Sequence, residues 1–121
     1  MNAQPSLPNR IRLSQSASDQ LTFLKAKTGL TPNILARIAL ASSLKSGFDY
    51  RQLTPATDGL EFNLVTLLGD YTSLYELLLI QDTEADSSEV LSSALVSHIE
   101  NGTQSLRSMK TLPGLVKLFF Q

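Results

Sequence analysis

The stretch that most constrains the fold is residues 8–40, PNRIRLSQSASDQLTFLKAKTGLTPNILARIAL. It opens on a period-two alternation, with Ile11 and Leu13 on one side and Arg10, Arg12 and Ser14 on the other, the pattern of a strand with one buried face. A strand this short, roughly residues 9–14, needs a partner. Helix signals follow at once. Ser16-Ala17-Ser18-Asp19 resembles a capping box with Asp in place of Glu, and Ser18 is an alternative cap. Leu21, Leu24 and Thr28, widened by Phe23, give the first helix its apolar face. Gly29 fits the left-handed position after a helix end. Thr31 then caps a second helix whose first position is Pro32, and Ile34, Leu35, Ile38, Ala41 and Leu44 form a broad apolar stripe ending at Gly47.

Beyond Gly47 the signals are weaker. Residues 48–59 read as turns, and LEFNLVTLLGD at 60–70 is readable either as a strand or as a buried helix. Tyr71, Leu74, Tyr75 and Leu78 predict a helix over 71–81, followed by an acidic loop, QDTEADSS. Val90, Leu91, Ala94, Leu95 and Ile99 predict another helix, stopped near Gly102. Pro113-Gly114 introduces an apolar tail, Leu115 to Phe120. The expected fold is mainly α: a short N-terminal strand, a helix-turn-helix pair resembling a ribbon-helix-helix module, and two or three further helices. At 121 residues it reads as one domain, with a flexible arm at 1–8, a DNA-binding and oligomerisation part at 9–47 and an acidic helical extension at 48–121.

Composition excludes several chemistries. The chain has no cysteine, which removes thiol catalysis, iron–sulfur clusters and Cys-ligated zinc. His98 is the single histidine, and its place beside Leu91, Ala94 and Leu95 predicts a partly buried structural role. No phosphate-binding G-x-x-x-x-G-K-S/T, dinucleotide G-x-G-x-x-G or nucleophile-elbow G-x-S-x-G motif is present. Glu61, Asp70 and Glu76 are the nearest thing to a carboxylate cluster, and nothing fixes them on a common face. Neither an enzyme, a cofactor nor a metal is therefore expected. No apolar run approaches the ~20 residues of a membrane-spanning helix, and MNAQPSLPNR lacks a charged region followed by an apolar one, so a cytoplasmic location is expected.

Charge is unevenly spread. Residues 1–51 carry +5 and residues 52–121 carry −6, which suggests a basic face for a polyanion and an acidic half turned elsewhere. In a ribbon-helix-helix arrangement the strand pairs with its twofold mate in a second chain, and its outward residues, here Arg10 and Arg12, can enter the major groove. The start of the second helix, Thr31 to Asn33, can hold a phosphate, while Lys25, Lys27 and Arg37 add phosphate contacts blind to sequence. A plain helix-turn-helix competes: Gly29, Leu24, Leu35 and Ile38 fit it, but Lys25 stands where a small residue is usual.

Residues 8–40, with GLEFNLVTLLGDYTSLYELLL about twenty residues later, resemble the DndE family of DNA sulfur modification proteins, TGLTPNILARIA being the most specific part. The resemblance implies a small non-catalytic subunit of the bacterial machinery that replaces a non-bridging phosphate oxygen of DNA with sulfur. Other subunits of that machinery mobilise the sulfur and supply iron–sulfur and ATPase functions. It implies a homotetramer that binds double-stranded, preferentially nicked, DNA through surface lysines. That role falls on Lys25 and Lys27, then on Arg10, Arg12 and Arg37. Two alternatives stand beside it: a scaffold joining the other modification subunits, and a ribbon-helix-helix repressor that prefers one palindrome.

Overall fold

The computed structural model describes residues 4–108; the apolar tail, Lys110 and Lys117 lie outside them. Helices dominate, and one small antiparallel sheet stands at the N-terminal end. The first strand, β1 (Arg10–Arg12), pairs with β2 (Glu61–Asn63) in the register Arg10 to Asn63, Ile11 to Phe62 and Arg12 to Glu61. Flanking bonds lengthen the ladder: Leu13 N–H donates to the Leu60 carbonyl, Gly59 N–H to the Leu13 carbonyl and Leu64 N–H to the Asn9 carbonyl. The strand's mate is therefore in the same chain, so β1 is paired without the second copy that the ribbon-helix-helix pattern called for. The physical reason is visible in the ambiguous stretch at 60–70, which is both things in turn. Phe62 faces Ile11 across the sheet, and the chain then turns straight into a short helix, α3 (Leu64–Leu68), capped by Asn63.

The first long helix, α1 (Gln15–Thr28), starts earlier than the capping-box reading placed it. Ser14 is its N-cap, accepting from Ala17 N–H. Ser14 is itself gripped from across the core by Glu100, whose two carboxylate oxygens accept Ser14 N–H at 2.7 Å and Ser14 Oγ–H at 2.8 Å. Gly29 ends α1 in the left-handed region at φ 79°, as expected. Thr31 and Pro32 open α2 (Pro32–Ser46), also as expected, and Gly47 closes it. The buried face of α2 is nearly opposite the expected stripe: Leu35, Ala36, Ala39, Leu40 and Ser43 are buried, whereas Ile38, Ala41 and Leu44 are half-buried and Ile34 is exposed. This helix is central, packing against α1, α3 and the last helix, so both of its sides are apolar.

A 3-10 turn at Gly69–Tyr71 leads into α4 (Thr72–Thr83), which ends at Glu84 in a left-handed conformation. The last helix, α5 (Ser88–Ser105), is capped by Ser87 and runs three residues beyond Gly102, where it was expected to stop. Gly102 has a different task. A Cβ there would drive into the backbone of Ala39, so its absence allows α5 and α2 to cross with their main chains in contact. The core lies around this crossing, with Leu21, Leu24, Leu35, Leu40, Leu67, Leu68, Leu91, Leu95 and Ile99 withdrawn from solvent. Ser6 N–H donates to Ser88 Oγ and Leu7 N–H to Glu76, so residues 6 and 7 of the expected arm are tied down.

Candidate nucleic-acid interface

Apart from Arg37, the cations singled out in sequence fall into two groups at opposite ends of α1. On the outer face of the two-stranded ribbon, Arg10 and Arg12 flank Glu61, each with a nitrogen 3.7 Å from its carboxylate. Alternation places all three opposite the buried Ile11 and Phe62. Arg12 also donates to the Gly59 carbonyl at 2.8 Å, which orients its guanidinium along the ribbon. The pairs are solvated and weak, so they leave both arginines on the surface with a single carboxylate between them.

The second group surrounds the turn between α1 and α2. Lys25 and Lys27 are exposed in the last turn of α1, where their charges also complement the helix dipole. Being two residues apart, their side chains leave the helix about 160° from each other, one on each flank. Lys27 shares its flank with Phe23, its ammonium 5.5 Å from the ring centroid. Across Gly29, Thr31 spends its side-chain oxygen on Ile34 N–H, and Asn33 is half-buried on the first turn of α2. Arg37 points away from this turn: its Nε donates to the Leu67 carbonyl at 2.8 Å, closing the end of α3. The α1 turn lies ~18 Å of helix rise from the ribbon, so Arg10 and Arg12 are not part of one compact patch with the lysines. What joins the second group is sign. No carboxylate occurs anywhere from residue 20 to residue 48.

His98 is fully buried and links three helices. Its Nε2 lies 2.9 Å from Asp82 Oδ2 and its Nδ1 lies 2.8 Å from Ser43 Oγ, which also accepts from Asn101 Nδ2. Since the carboxylate can only accept, the ring nitrogen facing it, Nε2, carries a proton and donates it to Asp82. Phe48 packs edge-on at 5.5 Å. The residue types are those of a hydrolase relay, but Ser43 is 1% exposed and no substrate reaches it. The sequence predicts partial burial for His98; burial is complete, and its hydrogen bonds tie α2, α4 and α5 together. The carboxylates singled out in sequence are dispersed: Glu61 sits between the arginines, Asp70 in the 3-10 turn, and Glu76 accepts Leu7 N–H. Among the described residues no group of three His, Asp or Glu side chains is placed to hold a metal ion. None of their helices is long and apolar enough to cross a membrane.

Against known families, the model described as DNA sulphur modification protein DndE matches residues 10–113. The chain belongs to the DndE family. Its fold agrees with a crystal structure of DndE from Escherichia coli B7A, involved in DNA phosphorothioation modification, at 38% identity and a TM-score of 0.76, over 84% of this chain and 98% of that one. A double glycine-to-lysine mutant of DndE, involved in DNA phosphorothioation, is similar at 35% identity and a TM-score of 0.72, over 83% of this chain and 98% of that one. No curated protein sequence matches significantly. The family was legible in the sequence because residues 8–80 carry its motifs. The Glu100–Ser14 clamp and the His98 chain were not read from sequence, and Phe23, expected to widen the apolar face of α1, is exposed instead. Each depends on which helix face turns inward.

Proposed function

We propose that this DndE-family chain is a non-catalytic DNA-binding subunit of the phosphorothioation machinery, engaging duplex DNA, with a preference for nicked DNA, through the phosphate backbone. The carrying observation is the α1–α2 turn, where exposed Lys25 and Lys27 stand in a stretch of 29 residues, 20 to 48, without a carboxylate. Lysine ammonium groups act as point charges on phosphates, and such contacts position a protein without reading sequence. Arg10 and Arg12 supply a second contact on the ribbon, while Thr31 and Asn33 border the lysines. Arg37 contributes chiefly by holding α3 against α2. The buried Ser43 hydroxyl and the dispersed carboxylates favour a role without turnover of its own.

The working form is a homo-oligomer, a tetramer by analogy with the family, in which several modest phosphate contacts add up. An apolar face supports this. Val65 (74% exposed), Tyr71, Leu74, Leu77 (56%) and Leu78 are exposed along α3, the 3-10 turn and α4. An apolar face that carries a tyrosine and no lysine fits the centre of an interface, where aromatic residues are enriched and charged ones depleted. A second copy is the fitting occupant, because twofold pairing sets this uncharged leucine face against itself. The scaffold reading would instead give the face to another subunit of the machinery. Light scattering distinguishes them: the isolated protein is expected to be oligomeric at micromolar concentration, and a stable monomer would leave the face to other subunits.

The test of DNA binding is a titration of intact, nicked and single-stranded oligonucleotides at several salt concentrations. Log affinity should fall steeply with log salt, at about −0.9 per phosphate neutralised on duplex DNA. The Lys25→Glu/Lys27→Glu double variant should lose binding with its helical circular dichroism intact. Affinity independent of salt would refute phosphate contact, and strong preference for one palindrome would restore the repressor alternative.

A further inference from the structure

Phe23 stands out among the exposed side chains of α1. The helix buries Ala17, Leu21 and Leu24, and Phe23 lies about 130° around the axis from that face. The residue is 45% exposed, so the packing of α1 does not call for an aromatic there. Four residues on, Lys27 brings its ammonium to 5.5 Å from the ring centroid. The residue therefore presents a flat apolar face with a cation beside it, within a stretch of chain that has no carboxylate from residue 20 to residue 48.

We infer that Phe23 is the residue by which this chain recognises an interruption in duplex DNA, stacking on a base face exposed at the break while Lys27 meets the adjoining phosphate. The inference rests on the proposal that the α1–α2 turn contacts DNA, and it names the residue behind a preference that charge cannot supply. Phosphates line intact and nicked duplexes alike, so lysines alone distinguish them poorly. In an intact duplex every base face is covered by its neighbours. At a nick one strand has no covalent continuity, the step opens at lower deformation cost, and an apolar side chain can wedge or stack there. Surfaces that hold unstacked bases combine aromatic platforms with a positive track, which is the combination of Phe23 with Lys27.

The experiment compares the 121-residue chain with its Phe23→Ala and Phe23→Trp variants on one duplex, intact or with a central nick, at fixed salt. Wild type should favour the nicked form, and Phe23→Ala should shrink the ratio of nicked to intact affinity about tenfold. Phe23→Trp should retain the preference. Because the chain has no other tryptophan, its emission reports on this position alone and should be quenched by nicked but not by intact duplex. An undiminished ratio in Phe23→Ala, or equal quenching by both duplexes, overturns the assignment. Equal affinity of wild type for both duplexes overturns it too, while leaving phosphate contact standing. If wild type binds neither, or Lys25→Glu/Lys27→Glu binds as wild type does, the proposed function falls and Phe23 with it. A change of oligomeric state in Phe23→Ala with the ratio intact gives the ring to a protein contact instead.

Discussion

Single residues do most of their visible work here through hydrogen bonds to distant backbone. Glu100 illustrates it: a carboxylate 86 residues away from Ser14 in sequence accepts both that residue's N–H and its hydroxyl inside the core. Glu100→Ala should destabilise the protein by about 2–3 kcal/mol, since it strands two buried donors, and chemical denaturation will measure it. Glu100→Gln, which keeps an acceptor, should lose less. At the surface, the hydrogen bonds from the Arg51 side chain and backbone hold the Asp49 carboxyl down at about 2, against an ordinary value of 3.8. A depressed carboxylate contributes stability that is complete above its unfolded pKa and is lost as pH falls through the folded one. The Asp49–Arg51 contribution should therefore disappear between about pH 4 and pH 2. Carbon-detected NMR titration should find the Asp49 midpoint near 2, returning towards 3.8 in Arg51→Ala.

At the scale of elements, two glycines separate what local chemistry dictates from what packing dictates. Gly29 is local: its φ of 79° is one that a side chain resists, and a Cβ there would meet nothing. Gly29→Ala should therefore cost only about 1–2 kcal/mol, the penalty of the left-handed conformation itself. Gly102 is the reverse. It sits in a regular helix, where alanine is normally preferred, yet a Cβ would strike the Ala39 backbone. Gly102→Ala should force α5 away from α2 and destabilise by about 1–3 kcal/mol or more, read as a lowered melting temperature. The same crossing explains α2. With α5, α1 and α3 on different sides, its apolar residues encircle it, and the more conspicuous isoleucine stripe is the less buried one.

For the whole molecule, the proposed function gives DNA contact to the basic turn of α1–α2 and assembly to the apolar face of α3–α4, and the two should be separable by mutation. Leu74→Asp with Leu77→Asp should dissociate the oligomer while each protomer keeps its fold, because both side chains are more than half exposed. DNA affinity should then drop sharply, since the contacts of several protomers no longer add. Sedimentation and DNA titration of the same sample check both halves. Ile38→Asp, by contrast, adds a charge to a half-buried position packed on the core, and should unfold the protein as well as disturb assembly.

The sequence by itself determined whatever depends on near neighbours. Thr31 and Pro32 open α2, Gly29 and Gly47 take left-handed conformations, and the alternation at Arg10 to Leu13 makes a strand, because caps, turns and pleats act over a few residues. Family membership was legible for the same reason, through a compact motif. Only the tertiary structure decided the rest. The mate of β1 lies about fifty residues away, in a stretch whose own pattern suited strand and helix equally, and contact with Ile11 selected the strand for Glu61–Asn63. The inward face of α2, the passage of α5 through Gly102, the burial of His98 between Ser43 and Asp82, and the outward turn of Phe23 follow from how the helices cross. A crossing is set by all the surfaces that meet there, and no window along the chain contains them.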